Sequence, residues 1–145
     1  MMYGQLEALP HPHALSVLSA PALPSAVRLA RETAEQVLFE WRISGHHPSV
    51  GPALLILSEL VTNSIQHAAE VSPQVTVIYA AAADWLAFAV HDRHPYQPRL
   101  YDAGIRTGRG GLATVMELTH DLCGTAFVRA DTDGQGKAIW ISLPL

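Results

Sequence analysis

The chain has 145 residues, 49% hydrophobic and 15% charged, with a formal net charge of −4. That length suits one domain with a real core and leaves no room for two, and the acidic balance excludes a basic footprint for nucleic acid or an anionic membrane surface. Cys123 is the only cysteine, so no intramolecular disulfide can form and nothing points to an oxidising compartment.

The opening stretch MMYGQLEALPHPHA has two prolines and no apolar period, so residues 1–14 are expected to be a flexible lead-in. No positive charge precedes its apolar residues, which argues against a secretory signal. No stretch approaches the roughly 20 apolar residues of a membrane span, so the expected location is cytoplasmic. LSVLSA, Leu15 to Ala20, suits a short edge strand. From Ser25 to Ile43, Val27, Ala30, Ala34, Val37, Leu38 and Trp41 recur at helical spacing, and Ser25 is placed to cap the first turn. SGHHP breaks that helix, and a second runs from about Ser49 to Ala69.

VTVIYA and WLAFAVHD are rich in β-formers and separated by AAAD, which predicts a hairpin. From Arg93 to Arg109 the pattern dissolves into prolines and glycines, and a connection that long inside one domain is either functional or disordered. GGLATVMELTHDL restores a helix, and GTAFVRA and AIWISLPL form a last strand pair around DTDGQGK. The expected fold is α+β: a two-layer sandwich of a mixed or antiparallel sheet with helices on one face, spanning residues 15–145. Cys123, between Leu122 and Gly124, is expected to be a small buried residue. The scattered histidines, HPH and HH included, lack the partner spacing of a zinc site.

The second helix carries an unusual pattern in SELVTNSIQHA, Ser58 to Ala68. At about 100° per residue, Asn63 lies ~40°, His67 ~80° and Gln66 ~340° around from Glu59. Leu57, Val61, Ser64 and Ala68 fall on the opposite side, and Leu55, Ile56 and Leu60 flank the polar strip. A solvated face would explain such a strip. A cleft wall would explain it too: the Asn carbonyl is a hard neutral ligand suited to Mg²⁺, and the Glu can accept a proton. Periodicity alone leaves both readings open.

Three further segments, in a fixed order, carry a resemblance. SELVTNSIQHA resembles the N-box of the GHKL (Bergerat-fold) ATP-binding superfamily, which includes gyrase, heat-shock chaperones, histidine kinases and MutL. AVHDRHP falls at a strand end where that family places its adenine-reading aspartate, TGRGGLATVMEL is similar to its later glycine box, and GQGKAIWISLPL resembles its closing strand pair. The match runs from about Ser25 to Leu145 and is closest to the single-domain anti-sigma-factor serine/threonine kinases and their actinobacterial relatives.

The resemblance implies a role for each box. Glu59 becomes the general base and Asn63 the Mg²⁺ ligand that meets the triphosphate. Asp92 accepts a hydrogen bond from the adenine amine. Gly110 and Gly111 let backbone N–H groups approach phosphate at a helix N-terminus. Arg109 or Lys137 would neutralise phosphate charge, although Lys137 reads equally as an exposed turn residue. His67 either lines the cleft or is a structural histidine, and Gln66 falls to the surface. Residues 93–111 would form the ATP lid, expected to be mobile without nucleotide. The sequence departs from the family at the first glycine box, which here is Asp92-Arg93-His94-Pro95-Tyr96 with no glycine.

The implied cofactors are ATP and Mg²⁺. The implied partners are an anti-anti-sigma (STAS-like) protein as substrate and a sigma factor as target, with a homodimer as one arrangement and no direct nucleic-acid contact. Two other classes stay open: an ATP-dependent protein-binding switch with little or no catalysis, and a detached histidine-kinase catalytic domain.

Overall fold

The computed structural model describes residues 14–98, 100 and 111–145. Its elements run β1 (Ala14–Pro21), α1 (Ser25–Glu40), α2 (Val50–Ala68), β2 (Gln74–Ala81), β3 (Trp85–Asp92), α3 (Gly111–Asp121), β4 (Thr125–Ala130) and β5 (Lys137–Pro144). The strands form one five-stranded sheet in the order β1-β2-β3-β5-β4, and every neighbouring pair is antiparallel. β1 lies at an edge, as expected. Of the lead-in, only Ala14 is described, and it already belongs to β1.

Strand alternation divides the sheet into two faces. Val77, Tyr79, Phe88, Val90, Ile139 and Ile141 belong to the main core, together with the inner sides of the helices. Ile78, Ala80, Ala87, Ala89, Ala138 and Trp140 form a smaller cluster on the other face, where Phe127 stacks on Trp140 at 6.2 Å and 11°. α1 packs over β1 and β2, α2 over β2 and β3, and α3 over β4, with α2 touching both other helices. The fold is the expected α+β sandwich, with an open antiparallel sheet and three helices.

α2 is central because it is apolar over most of its circumference. Ala53, Ile56, Leu57, Leu60, Val61, Ser64 and Ala68 are all buried along it. α1 meets the sheet through Ala26, Ala30, Ala34, Val37 and Leu38. Its small residues let the backbone come close enough for Tyr79 Oη to donate to the Ala30 carbonyl at 2.7 Å. Burial pushes the Tyr79 phenol above its ordinary value.

Two local expectations need correction. Ser25 is the first residue of α1, after Pro24 at the cap position, and makes no capping hydrogen bond. The amides of Ala26 and Val27 donate instead to the carbonyls of Leu23 and Pro24, at 2.8 and 3.2 Å, so the backbone turn does the serine's work. Cys123 is exposed rather than buried. It takes the left-handed conformation that ends α3, φ 60°, with its amide donating to the His120 carbonyl at 2.9 Å and that of Gly124 to Thr119 at 2.8 Å. Among the described residues, no helix is long and apolar enough to cross a membrane.

Candidate functional site

The site begins from strand register. Asp92 ends β3 and Lys137 begins β5, directly opposite one another in the ladder. Alternation turns both toward the helices, while their neighbours His91 and Ala138 face the other way. On the helix side they meet α2 at Ser64. Ser64 Oγ donates to Asp92 Oδ2 at 2.7 Å. Lys137 Nζ and the His94 amide donate to Oδ1 at 2.5 and 3.0 Å. The Lys137 and Asp92 side chains are only 9% and 6% exposed, so this is a buried ion pair with hydrogen bonds to both carboxylate oxygens.

A cavity of about 420 Å³ opens onto this pair. Asn63, Ser64, His67 and Ala68 supply its α2 wall, Leu112 its α3 wall, and His94, Tyr96 and Pro98 the rim beyond β3. The volume and mixed lining are those of a small-molecule site, mostly apolar with a few convergent polar groups.

Glu59 stands one turn before Asn63 and outside the lining of the cavity. It abuts the first turn of α3, where a Cβ added at Gly111 would come within 2.9 Å of Glu59 Oε2. A glycine is needed there for that approach. The carboxylate so placed sits where the helix dipole favours negative charge. Among the described residues neither Glu59, Asn63 nor His67 makes a side-chain hydrogen bond; Glu59 and Asn63 are half-buried and His67 is exposed. Gln66 is exposed.

The chain leaving β3 is fastened at its start. The Arg93 amide donates to Ser72 Oγ at 2.9 Å. Its guanidinium reaches the β4–β5 turn, meeting Asp131 at 2.5 Å and Asp133 at 2.8 Å. That hydrogen bonding raises the Arg93 pKa and holds the Asp133 carboxyl below its ordinary range. His91, on the far side of the sheet, bonds the same Asp131 at 2.9 Å.

The sequence-predicted residues therefore separate into groups. Asn63, His67, Asp92 and Lys137 surround one cavity, with Glu59 and Gly111 in contact beside it. Arg109, Gly110 and most of the expected lid lie outside the described residues. Lys137 is not an exposed turn residue: it is buried and opens β5. Ser64 was missed. A serine on the apolar side of a helix must find a buried partner, and that was the available signal.

Residues 51–145 match the family described as histidine kinase-, DNA gyrase B-, and HSP90-like ATPase. No curated protein matches the chain. Among solved structures, a histidine kinase domain from the Erythrobacter litoralis EL346 blue-light activated histidine kinase is 19% identical, with a TM-score of 0.55 over 99% of this chain and 74% of that one. Full-length ShkA in complex with AMPPNP is 22% identical with a TM-score of 0.55; the match covers 98% of this chain and spans 33% of ShkA. At these identities the structural likeness speaks for the fold, and the family match extends over well more than half of the sequence. The chain belongs to the histidine kinase-, DNA gyrase B-, and HSP90-like ATPase family, with the ATP-binding GHKL domain that defines it.

Proposed function

We propose that this domain binds Mg-ATP in the cavity between α2, α3 and the ends of β3 and β5, and works as an anti-sigma-factor-type serine/threonine kinase on an anti-anti-sigma (STAS-like) partner. The observation that carries the reading is the placement of Asp92, buried and backed by Ser64, at the floor of a cavity whose α2 wall holds Asn63. A buried carboxylate accepts a hydrogen bond from the exocyclic amine of adenine and repels a carbonyl in its place. Ala68, Pro98, Tyr96 and Leu112 supply apolar surface for a ring.

The donor set suits Mg²⁺. No group of three His, Cys, Asp or Glu side chains converges among the described residues, so a divalent ion would rest on the Asn63 carbonyl, phosphate oxygens and water, as Mg²⁺ prefers. Bound there, it would neutralise charge on the triphosphate. In the transfer, the partner's Ser or Thr oxygen bonds to the γ-phosphorus, the bond to the β–γ bridging oxygen breaks, ADP departs, and Glu59 takes the hydroxyl proton. Positioning and charge neutralisation supply most of such catalysis. By the same resemblance the sequestered target is a sigma factor, the working unit a homodimer, and the compartment the cytoplasm.

The second reading, an ATP-dependent protein-binding switch with little or no transfer, draws on two observations. Arg93 is tied to the β4–β5 turn where the family usually has a loose glycine box. Glu59 faces Gly111 and does not line the cavity.

Isothermal titration with Mg-ATP, followed by labelled ATP with a candidate partner, tests both. Wild type is expected to bind and transfer, and Glu59→Ala to bind with transfer reduced about 10²–10⁴-fold, the usual loss with a general base. Equal transfer by both proteins removes Glu59 as base. Binding without transfer in either favours the switch, and no binding at millimolar ATP ends the nucleotide reading.

A further inference from the structure

Lys137 was expected to meet phosphate, and its surroundings give it another task. It occupies the floor of the cavity, on the first residue of β5, with its ammonium held by Asp92 Oδ1 at 2.5 Å and directed at the His94 carbonyl at 3.4 Å. Leaving this position for a phosphate would strand the Asp92 carboxylate in a buried site without its counter-ion, which is strongly unfavourable.

The remaining hydrogen-bonding capacity can be counted. An ammonium has three donors, and two are directed at Asp92 and His94. A carboxylate has about four acceptor positions; Lys137 and the His94 amide take two on Oδ1, and Ser64 takes one on Oδ2. Among the described residues, the floor of the cavity thus keeps one acceptor, on Asp92 Oδ2, beside one donor, on Lys137 Nζ. Both residues border the cavity.

Adenine presents the complementary pair on adjacent atoms: the N6 amine donates and ring nitrogen N1 accepts. We propose that Lys137 is a second base-reading residue, donating to N1 while Asp92 accepts from N6. The inference rests on the nucleotide reading of this cavity and extends it by assigning the ammonium to the base in place of the phosphates. The lysine also orients Asp92 by its hydrogen bond to Oδ1, so one buried pair presents both halves of the reading edge.

The test modifies the ligand first, which leaves the protein's fold untouched. Titration calorimetry on the wild-type chain compares ATP with 1-deaza-ATP, which keeps the N6 amine and replaces N1 by carbon. ATP is expected to bind about tenfold or more tightly, the size of a hydrogen bond to a charged group. Lys137→Met is then expected to bind the two alike, and to lose the same factor for adenosine as for ATP. Lys137→Gln, which keeps an N–H donor without the charge, is expected to restore part of the preference for ATP. Equal wild-type affinity for ATP and 1-deaza-ATP would overturn the assignment. So would a Lys137→Met loss that grows from adenosine through ADP to ATP, since that dependence puts the ammonium on phosphate. Failure of the wild type to bind any adenine compound would instead remove the nucleotide reading on which the inference stands.

Discussion

The two ends of the cavity differ in how much they depend on a ligand. At the inner end, Asp92, Ser64 and Lys137 satisfy one another within the protein, and no buried side-chain nitrogen or oxygen among the described residues lacks a partner. At the outer end, Asn63 and His67 carry polar atoms with no side-chain hydrogen bond among the described residues, and so does Glu59 just beside the cavity. The inner end is part of the folded core and is organised before any ligand arrives. The outer end is left to be completed by what arrives. Stability and function should therefore be inseparable at the first and separable at the second.

The largest effect is expected at the inner end. Asp92→Ala leaves the Lys137 ammonium buried without a counter-ion and should lower unfolding free energy by about 3–5 kcal/mol, read from urea midpoints. Adding Lys137→Met should recover most of that loss, because a pair of apolar side chains is tolerated where a single charge is not. Nucleotide binding should be lost in both. A double variant as unstable as Asp92→Ala would show that the ion pair is not what holds this end together.

The outer end should respond in the opposite manner. Gly111→Ala forces only the tip of a flexible side chain to move, since the nearest atom to the new Cβ is Glu59 Oε2. Gly111 is the first residue of α3, outside the helix interior, so alanine's gain in helix propensity there is below about 1 kcal/mol. Thermal unfolding should shift little, or upward, while phosphoryl transfer falls because Glu59 is displaced. A large drop in melting temperature with transfer intact would reverse the comparison. The smallest effect belongs to a site remote from either end: Cys123→Gly should stabilise by about 1 kcal/mol by relieving a left-handed residue, with nucleotide affinity unchanged in the same calorimeter.

The same contrast governs what was legible in the sequence. The helices could be read because an apolar period of 3.6 marks them and the strands because runs of β-formers do, and the strip of Glu59 and Asn63 stood out as polar residues on an apolar helix. Ser64, on the apolar side of α2, signals only that it needs a buried partner; the partner itself is not legible, because it arrives from a strand 28 residues later. Lys137 looked like a turn residue, since DTDGQGK has turn chemistry throughout. Only the register that sets it opposite Asp92 shows that it points inward. Cys123 misled for a related reason. The glycine expected at the end of α3 comes one position late, at Gly124, where a Cβ would lie 2.6 Å from the Ser142 carbonyl oxygen. Two neighbouring positions needed glycine, and the close contact with β5 took precedence.

The hydrogen bond from Tyr79 to the Ala30 carbonyl gives the molecule an optical record of its own integrity. Tyr79 is one of four tyrosines, and burial pushes its phenol upward from 10.0. A group whose native pKa is raised contributes stability that is complete below its unfolded value and fades as pH climbs past it. Alkaline titration followed by ultraviolet absorbance should therefore show the Tyr79 phenolate forming together with the loss of near-ultraviolet circular dichroism. Tyr79→Phe should lose that coincident absorbance step, turning a single buried chromophore into a reporter of whether α1 is still seated on the sheet.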